Sequence, residues 1–122
     1  MTKNILLIDD EEMLTELASM VISLNDYQVD TCNVPQDLEN LVSKKQYDLV
    51  VTDLMMPGRD GFEIVKSLRA MDNYKDMPII VMTAKTMSDE ERKYLLTQNV
   101  HVYLKPFDPS TLLERIEELI PE

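Results

Sequence analysis

Ile5-Leu6-Leu7-Ile8 runs straight into Asp9-Asp10, and Leu49-Val50-Val51-Thr52 runs into Asp53; these two stretches decide the fold. A strand buried on both faces of a parallel sheet reads as an unbroken apolar run, and open α/β sheets hold their ligands just beyond the carboxyl ends of the strands. Two such strands side by side would bring three carboxylates to one edge. Two further runs end in the same way, Pro78-Ile79-Ile80-Val81-Met82 in Thr83 and Val100-His101-Val102-Tyr103-Leu104 in Lys105. Clustered carboxylates repel one another and demand a cation, and hard oxygen ligands with room for water favour magnesium over zinc or copper. A hydroxyl and an ammonium beside that cation suit a phosphoryl group, whose oxygens need donors and whose charge needs a metal.

The segments between these runs carry helical spacing. Met13, Leu14, Leu17, Met20, Val21 and Leu24 predict a first helix that buries this face and ends near Asn25. Val34, Leu38, Leu41 and Val42 predict a second over Pro35 to Lys44. Asp60 can cap a third while Glu63 reaches back, with Phe62, Ile64, Val65, Leu68 and Met71 on its apolar side. Ser88 and Glu91 form a Ser-x-x-Glu box opening a fourth, whose apolar surface is little more than Tyr94, Leu95 and Leu96. Asp108, with Pro109 in the first turn, opens a fifth that presents Leu112, Leu113, Ile116, Leu119 and Ile120 and stops before Pro121. Strand and helix alternate five times, so right-handed crossovers predict an α/β fold, doubly wound, with a five-stranded parallel sheet flanked by five helices. The order 2-1-3-4-5 is expected, because it sets the strand ending at Asp10 beside the one ending at Asp53 and puts the switch point at the acids.

A chain of 122 residues fits one domain, spanning residues 1–122, with no effector domain attached. Its formal charge of −11 excludes a sequence-independent grip on nucleic-acid phosphates, which needs clustered Lys and Arg, and favours a basic or cation-bearing partner. Ile5 to Ile8 is too short for a signal peptide or a membrane span. The single cysteine, Cys32, rules out an intramolecular disulfide, fits a reducing compartment and reads as a packing residue. The one histidine, His101, reads as a surface or packing side chain on the last strand. The nine methionines read as core fillers, with Met82 and Met87 the ones that could serve a partner surface if exposed. Both glycines, Gly58 and Gly61, fall in the loop after Asp53.

Asp53-Leu54-Met55-Met56-Pro57-Gly58-Arg59-Asp60-Gly61, together with Asp9-Asp10, Thr83-Ala84 and Lys105-Pro106-Phe107 at matching spacing, resembles the receiver domain of bacterial two-component response regulators. The resemblance covers Lys3 to Leu119 and implies the flavodoxin-like receiver fold. It implies that Asp53 takes a phosphoryl group from a histidine kinase or a histidine phosphotransfer protein in a Mg2+-dependent reaction. By the same resemblance Asp10 would ligate the metal directly, Asp9 through water, Asp53 by its carboxylate and Met55 by its backbone carbonyl. Thr83 and Lys105 would each donate to a phosphoryl oxygen, Ala84 would leave room for entry, and Pro57 and Gly61 would shape the loop. The Lys105–Pro106 bond is expected to be cis. The implied protein is a cytoplasmic, stand-alone phosphoacceptor that catalyses only its own phosphorylation and dephosphorylation. It would signal through phosphorylation-dependent contacts with a downstream protein, without direct contact to nucleic acid or membrane.

The chain departs from that pattern near its last strand. Receivers carry a switch aromatic three residues before the lysine, where this chain has Val102; Tyr103 stands two before. Either the strand end is bulged or shortened, bringing Tyr103 round, or the usual aromatic rotation is absent. The usual Gly-Ala before this strand is replaced by Gln98, Asn99 and Val100. Two other readings are weighed. A degenerate receiver acting as an unphosphorylated adaptor would make the acids, Thr83 and Lys105 dispensable. A dehalogenase-type phosphatase would place a second acid two residues after Asp53, where this chain has Met55.

Overall fold

A computed structural model describes residues 2–84, 86–105 and 108–121. Five strands alternate with five helices: β1 (Lys3–Ile8), α1 (Glu12–Ser23), β2 (Tyr27–Cys32), α2 (Leu38–Lys44), β3 (Leu49–Asp53), α3 (Gly61–Arg69), β4 (Ile79–Thr83), α4 (Asp89–Thr97), β5 (Val100–Leu104) and α5 (Pro109–Leu119). All pairings are parallel and the order is β2-β1-β3-β4-β5, as the apolar runs predict. The expected second helix is divided: Pro35–Asp37 forms a 3-10 turn, with Pro35 at its start where no N–H is needed, and α2 begins at Leu38. A second 3-10 turn, Asp72–Tyr74, precedes β4.

Strand alternation divides the core in two. Leu6, Ile8, Val50, Ile79 and Val81 point to one face, packed against Leu38 and Val42 of α2, Ile64, Val65 and Leu68 of α3 and Leu95 of α4. Ile5, Leu7, Leu49, Val51 and Ile80 point to the other, against Ile22 of α1 and Leu112 and Ile116 of α5. The central strand β3 is buried at every residue, which is why it reads as continuous Leu-Val-Val. The edge strands β2 and β5 carry the polar residues Asp30, Thr31 and His101 instead. Among the described residues, no helix is long and apolar enough to cross a membrane.

The caps behave largely as predicted. Asp60 accepts the Glu63 amide, Ser88 and Glu91 form both halves of a capping box, and Asp108 accepts the Ser110 amide. After α4, Asn99 takes φ 58°, supplying the left-handed residue for which glycine is the usual choice. The Arg69 guanidinium donates to the carbonyls of Gln98 (2.8 Å), Tyr74 (2.6 Å) and Asn99 (3.4 Å), fastening the end of α3 to the end of α4.

Helix α1 corrects the sequence reading of its face. Met13, Leu17, Met20 and Leu24 are 83%, 51%, 68% and 87% exposed, and the buried positions are Thr15 and Ile22, with Ala18 packed beside them. The helix is set by polar bonds at its start: the Asn33 amide donates to the Asp9 carbonyl (2.8 Å) and to Thr15 Oγ1 (3.0 Å), turning Thr15 inward.

Candidate functional site

Asp9 and Asp53 are held by the sheet itself, and Asp10 follows directly after Asp9. The ladder extends one residue past β1, where the Asp9 amide donates to the Cys32 carbonyl at 3.1 Å. Asp53 closes β3, and the next amide, Leu54, donates to the Met82 carbonyl at 3.0 Å. β4 ends at the buried Thr83, whose carbonyl accepts the Lys105 amide at 2.9 Å. Since β1 and β4 flank β3, Asp9-Asp10, Asp53 and Thr83 meet at one sheet edge, and β5 adds Lys105 from the side.

The side chains converge there. Carboxylate oxygens of Asp9, Asp10 and Asp53 lie within 4.8 Å of one another, with Asp9 and Asp53 buried and Asp10 open to solvent. Lys105 Nζ bridges Asp53 Oδ2 at 3.1 Å and Asp9 Oδ2 at 3.2 Å, with Glu11 at 4.0 Å. The other Asp9 oxygen accepts the Glu11 amide at 3.0 Å. One ammonium faces three carboxylates, so the edge is left with an excess of negative charge that a divalent cation would neutralise. Oxygen donors with one open side fit magnesium.

Electrostatics agree. Burial, reinforced by Asp9, raises the Asp53 carboxyl above its ordinary range although Lys105 and the Met55 amide work the other way. Burial alone would lower the Lys105 ammonium; its bonds to Asp53 and Asp9 outweigh that and hold it higher than usual. Cys32, by contrast, is buried, donates Sγ–H to the Val34 carbonyl (3.0 Å), and has its thiol raised by burial, as befits a packing residue.

The loop after Asp53 is anchored at both ends. Gly61 presses on the strand end: a Cβ there would stand 2.9 Å from the Asp53 carbonyl oxygen and 2.9 Å from Leu54 Cα, while its amide donates to the Leu54 carbonyl at 2.8 Å. Arg59 donates to Glu39 of α2, to Ser67 of α3 and to the Pro35 carbonyl. Met55 and Pro57 are exposed, Met56 and Leu54 buried. Ala84 is exposed at the mouth of the site. Pro106, and with it the expected cis bond, lies outside the described residues, as does Lys85.

Sequence reasoning missed two supporting residues, Asn33 and Arg59. Asn33 directly follows the end of β2 and so could have been read as a turn former; nothing local marks Arg59 for its long-range bonds. The register of β5 is unbroken, Val81 opposite Val102 and Met82 opposite Tyr103, so the strand is neither bulged nor shortened. Val102 therefore packs on the α3–α4 side, while Tyr103 lies on the α1–α5 side with the Arg115 guanidinium 5.8 Å from its ring centre. Of the two alternatives for Tyr103, a bulged or shortened strand end that brings it round is not what β5 shows. Met82 is half-buried and Met87 buried, so neither offers the exposed sulfur surface that was considered.

A family model for the response regulator receiver domain matches residues 5–117. The chain is 33% identical over 120 residues to the transcriptional regulatory protein GltR of Pseudomonas aeruginosa, covering 97% of this chain and 49% of that protein. It is 31% identical over 121 residues to the probable transcriptional regulator ycf29 of Porphyra purpurea, covering 98% and 57%. The chain thus spans about half the length of the curated relatives it matches. Among solved structures, the chemotaxis protein CheY4 of Vibrio cholerae aligns over 98% of this chain and 100% of its own, with TM-score 0.88 and 27% identity. Fold, sheet-edge acids and matched sequence together assign the chain to the response regulator receiver domain family.

Proposed function

We propose that residues 1–122 act as one receiver domain that accepts a phosphoryl group on Asp53 from a phosphohistidine donor in a Mg2+-dependent reaction. The observation that carries this reading is the convergence of the Asp9, Asp10 and Asp53 carboxylates at one sheet edge under the Lys105 ammonium. An Asp53 oxygen attacks phosphorus, the P–N bond to the donor imidazole breaks with its electron pair leaving on nitrogen, and an acyl phosphate remains. Lys105, already against Asp53, is placed to stay with the carboxylate and meet the incoming phosphoryl oxygens. Asp9, Asp10, Asp53 and the Met55 carbonyl would hold magnesium, which supplies neutralisation of the charge gathered there. Ala84 keeps the mouth open, and Pro57 and Gly61 fix the loop.

Thr83 is the moving part of this proposal. It is buried at the end of β4, and a phosphoryl group on Asp53 would draw its hydroxyl inward and with it the segment leading to α4. That converts a local charge into a surface that a downstream protein reads. The donor would be a histidine kinase or histidine phosphotransfer protein, the compartment the cytoplasm, and the only chemistry that of the domain's own phosphorylation and dephosphorylation. With a net charge of −11, direct nucleic-acid contact is no part of the proposal.

The test is incubation with acetyl phosphate, with and without magnesium, followed by intact mass. A magnesium-dependent gain of one phosphoryl group, absent in Asp53→Asn, supports the reading. No gain in folded protein that also fails to bind beryllofluoride would put an unphosphorylated adaptor in its place.

A further inference from the structure

A groove of about 420 Å³ runs between the first two turns of α3 and of α4, on the face opposite α1 and α5. Phe62 and Tyr94 form its apolar walls, Glu63, Glu90 and Glu91 its rim, and Lys66 is the single cation among its described lining residues. Glu91 is committed, since its carboxylate accepts the Ser88 amide in the capping box. Glu63 and Glu90 form no ion pair among the described residues. Arg59 acts on Glu63 and Lys66 lies between the acids, yet three carboxylates leave the groove an excess of negative charge beside its aromatic walls, which complements a side chain with an apolar stem and a cationic head. A volume of this size accommodates one such side chain and an apolar neighbour.

We infer that the α3–α4 groove binds a short basic segment of a partner protein, an arginine or lysine lying across Phe62 and Tyr94 with its charge at Glu63 and Glu90. The inference deepens the signalling function proposed above and rests on it for its biological meaning, because the groove's two walls are tied to the site differently. The α3 wall is fixed, Gly61 being packed on the Asp53 carbonyl and bonded to Leu54. The α4 wall is held toward its far end, where Leu95 is buried in the core and Arg69 holds the Gln98 and Asn99 carbonyls, and Met87 just before the helix is buried as well. A displacement beginning at Thr83 reaches α4 through Met87 and its amino end, which carries Glu90, and shifts that end relative to the pinned carboxyl end. The groove changes width with the state of Asp53, and the partner senses that width.

The experiment is amide NMR titration of the full chain with the peptide acetyl-Leu-Arg-Lys-Leu-amide, before and after addition of beryllofluoride and magnesium. Shifts concentrated at residues 62–66 and 90–94 are expected, weakened at high salt, with the dissociation constant raised at least about fivefold in the Glu63→Gln/Glu90→Gln double variant. Both substitutions are on exposed helix positions and keep good helix formers, so the fold is retained. Beryllofluoride is expected to change the peptide's affinity. Equal binding by the double variant, shifts centred on another face, or concentration-dependent self-association through these residues would overturn the inference. Peptide binding without beryllofluoride needs no phosphoryl chemistry, so its loss sinks the groove alone. Failure to react with acetyl phosphate sinks the phosphoacceptor alone.

Discussion

Gly61→Ala tests whether the phosphoacceptor strand end and the start of α3 are packed as tightly as the structure indicates. The added Cβ would sit 2.9 Å from the Asp53 carbonyl oxygen, 2.9 Å from Leu54 Cα and 3.2 Å from Leu54 Cδ1. Two of these atoms are backbone and cannot rotate away, so α3 must back off by several tenths of an ångström. That stretches the 2.8 Å bond from the Gly61 amide to the Leu54 carbonyl. Overpacking of this kind costs about 1–3 kcal/mol. Loss of chain entropy in the unfolded state returns roughly 0.4–1 kcal/mol. The net destabilisation is then about 1–2 kcal/mol, or a midpoint lowered by roughly 4–8 °C for a domain of this size. Thermal unfolding followed by circular dichroism measures it, and acetyl-phosphate reactivity is expected to fall as well, because the displaced atom belongs to Asp53. Gly58 provides the contrast. Its φ of +80° makes Ala costly there through backbone conformation, whereas the group a side chain would meet is the movable Gln36 amide. Asn, which tolerates that conformation, should be accepted at 58 and rejected at 61. A Gly61→Ala protein as stable as the native chain would refute the packing argument.

Tyr74→Phe removes a fully buried hydroxyl that accepts the Tyr47 amide at 3.1 Å and donates toward the Lys45 carbonyl at 3.1 Å. An orphaned buried N–H costs about 1–3 kcal/mol, so the urea midpoint should drop at unchanged slope; an unmoved midpoint contradicts this. Asp30 carries a pH signature. Burial pushes its carboxyl up, but bonds from Tyr47 (2.7 Å) and Lys45 (3.0 Å) prevail and hold it below the ordinary range. A depressed folded pKa gives stability that is present above the unfolded value near 3.9 and lost as pH falls through the folded one. The stability gap between native protein and Tyr47→Phe should therefore narrow on acidification below about pH 4, and a widening gap would refute the assignment. Magnesium at ten times its dissociation constant should stabilise the protein by about 1.4 kcal/mol, an effect lost in Asp10→Asn; equal stabilisation of the variant would remove Asp10 from the metal site.

The features legible in the sequence are those set locally or by strand ends. Continuous apolar runs marked β1, β3 and β4, and their terminal Asp9-Asp10, Asp53 and Thr83 came together because parallel pairing brings strand ends to one edge. Caps at Asp60, Ser88 and Asp108 are short-range chemistry and could be placed by type and spacing. The face of α1 could not. Its apolar residues cover more than one side, so periodicity left the orientation open, and the choice was made by Asn33 reaching Thr15 from beyond β2. The same holds for Arg59 and Arg69, whose partners lie up to 30 residues away. Tyr103 illustrates the converse: its face followed from strand alternation once the register was known, and only the register required the structure.

The most direct test of the central claim is to trap the acyl phosphate. After reaction with acetyl phosphate and magnesium, borohydride reduction followed by peptide mass mapping should find homoserine at position 53 and nowhere else, and none without magnesium. Homoserine at another acid, or none at 53 in folded protein under conditions that add a phosphoryl group, would contradict the assignment of Asp53.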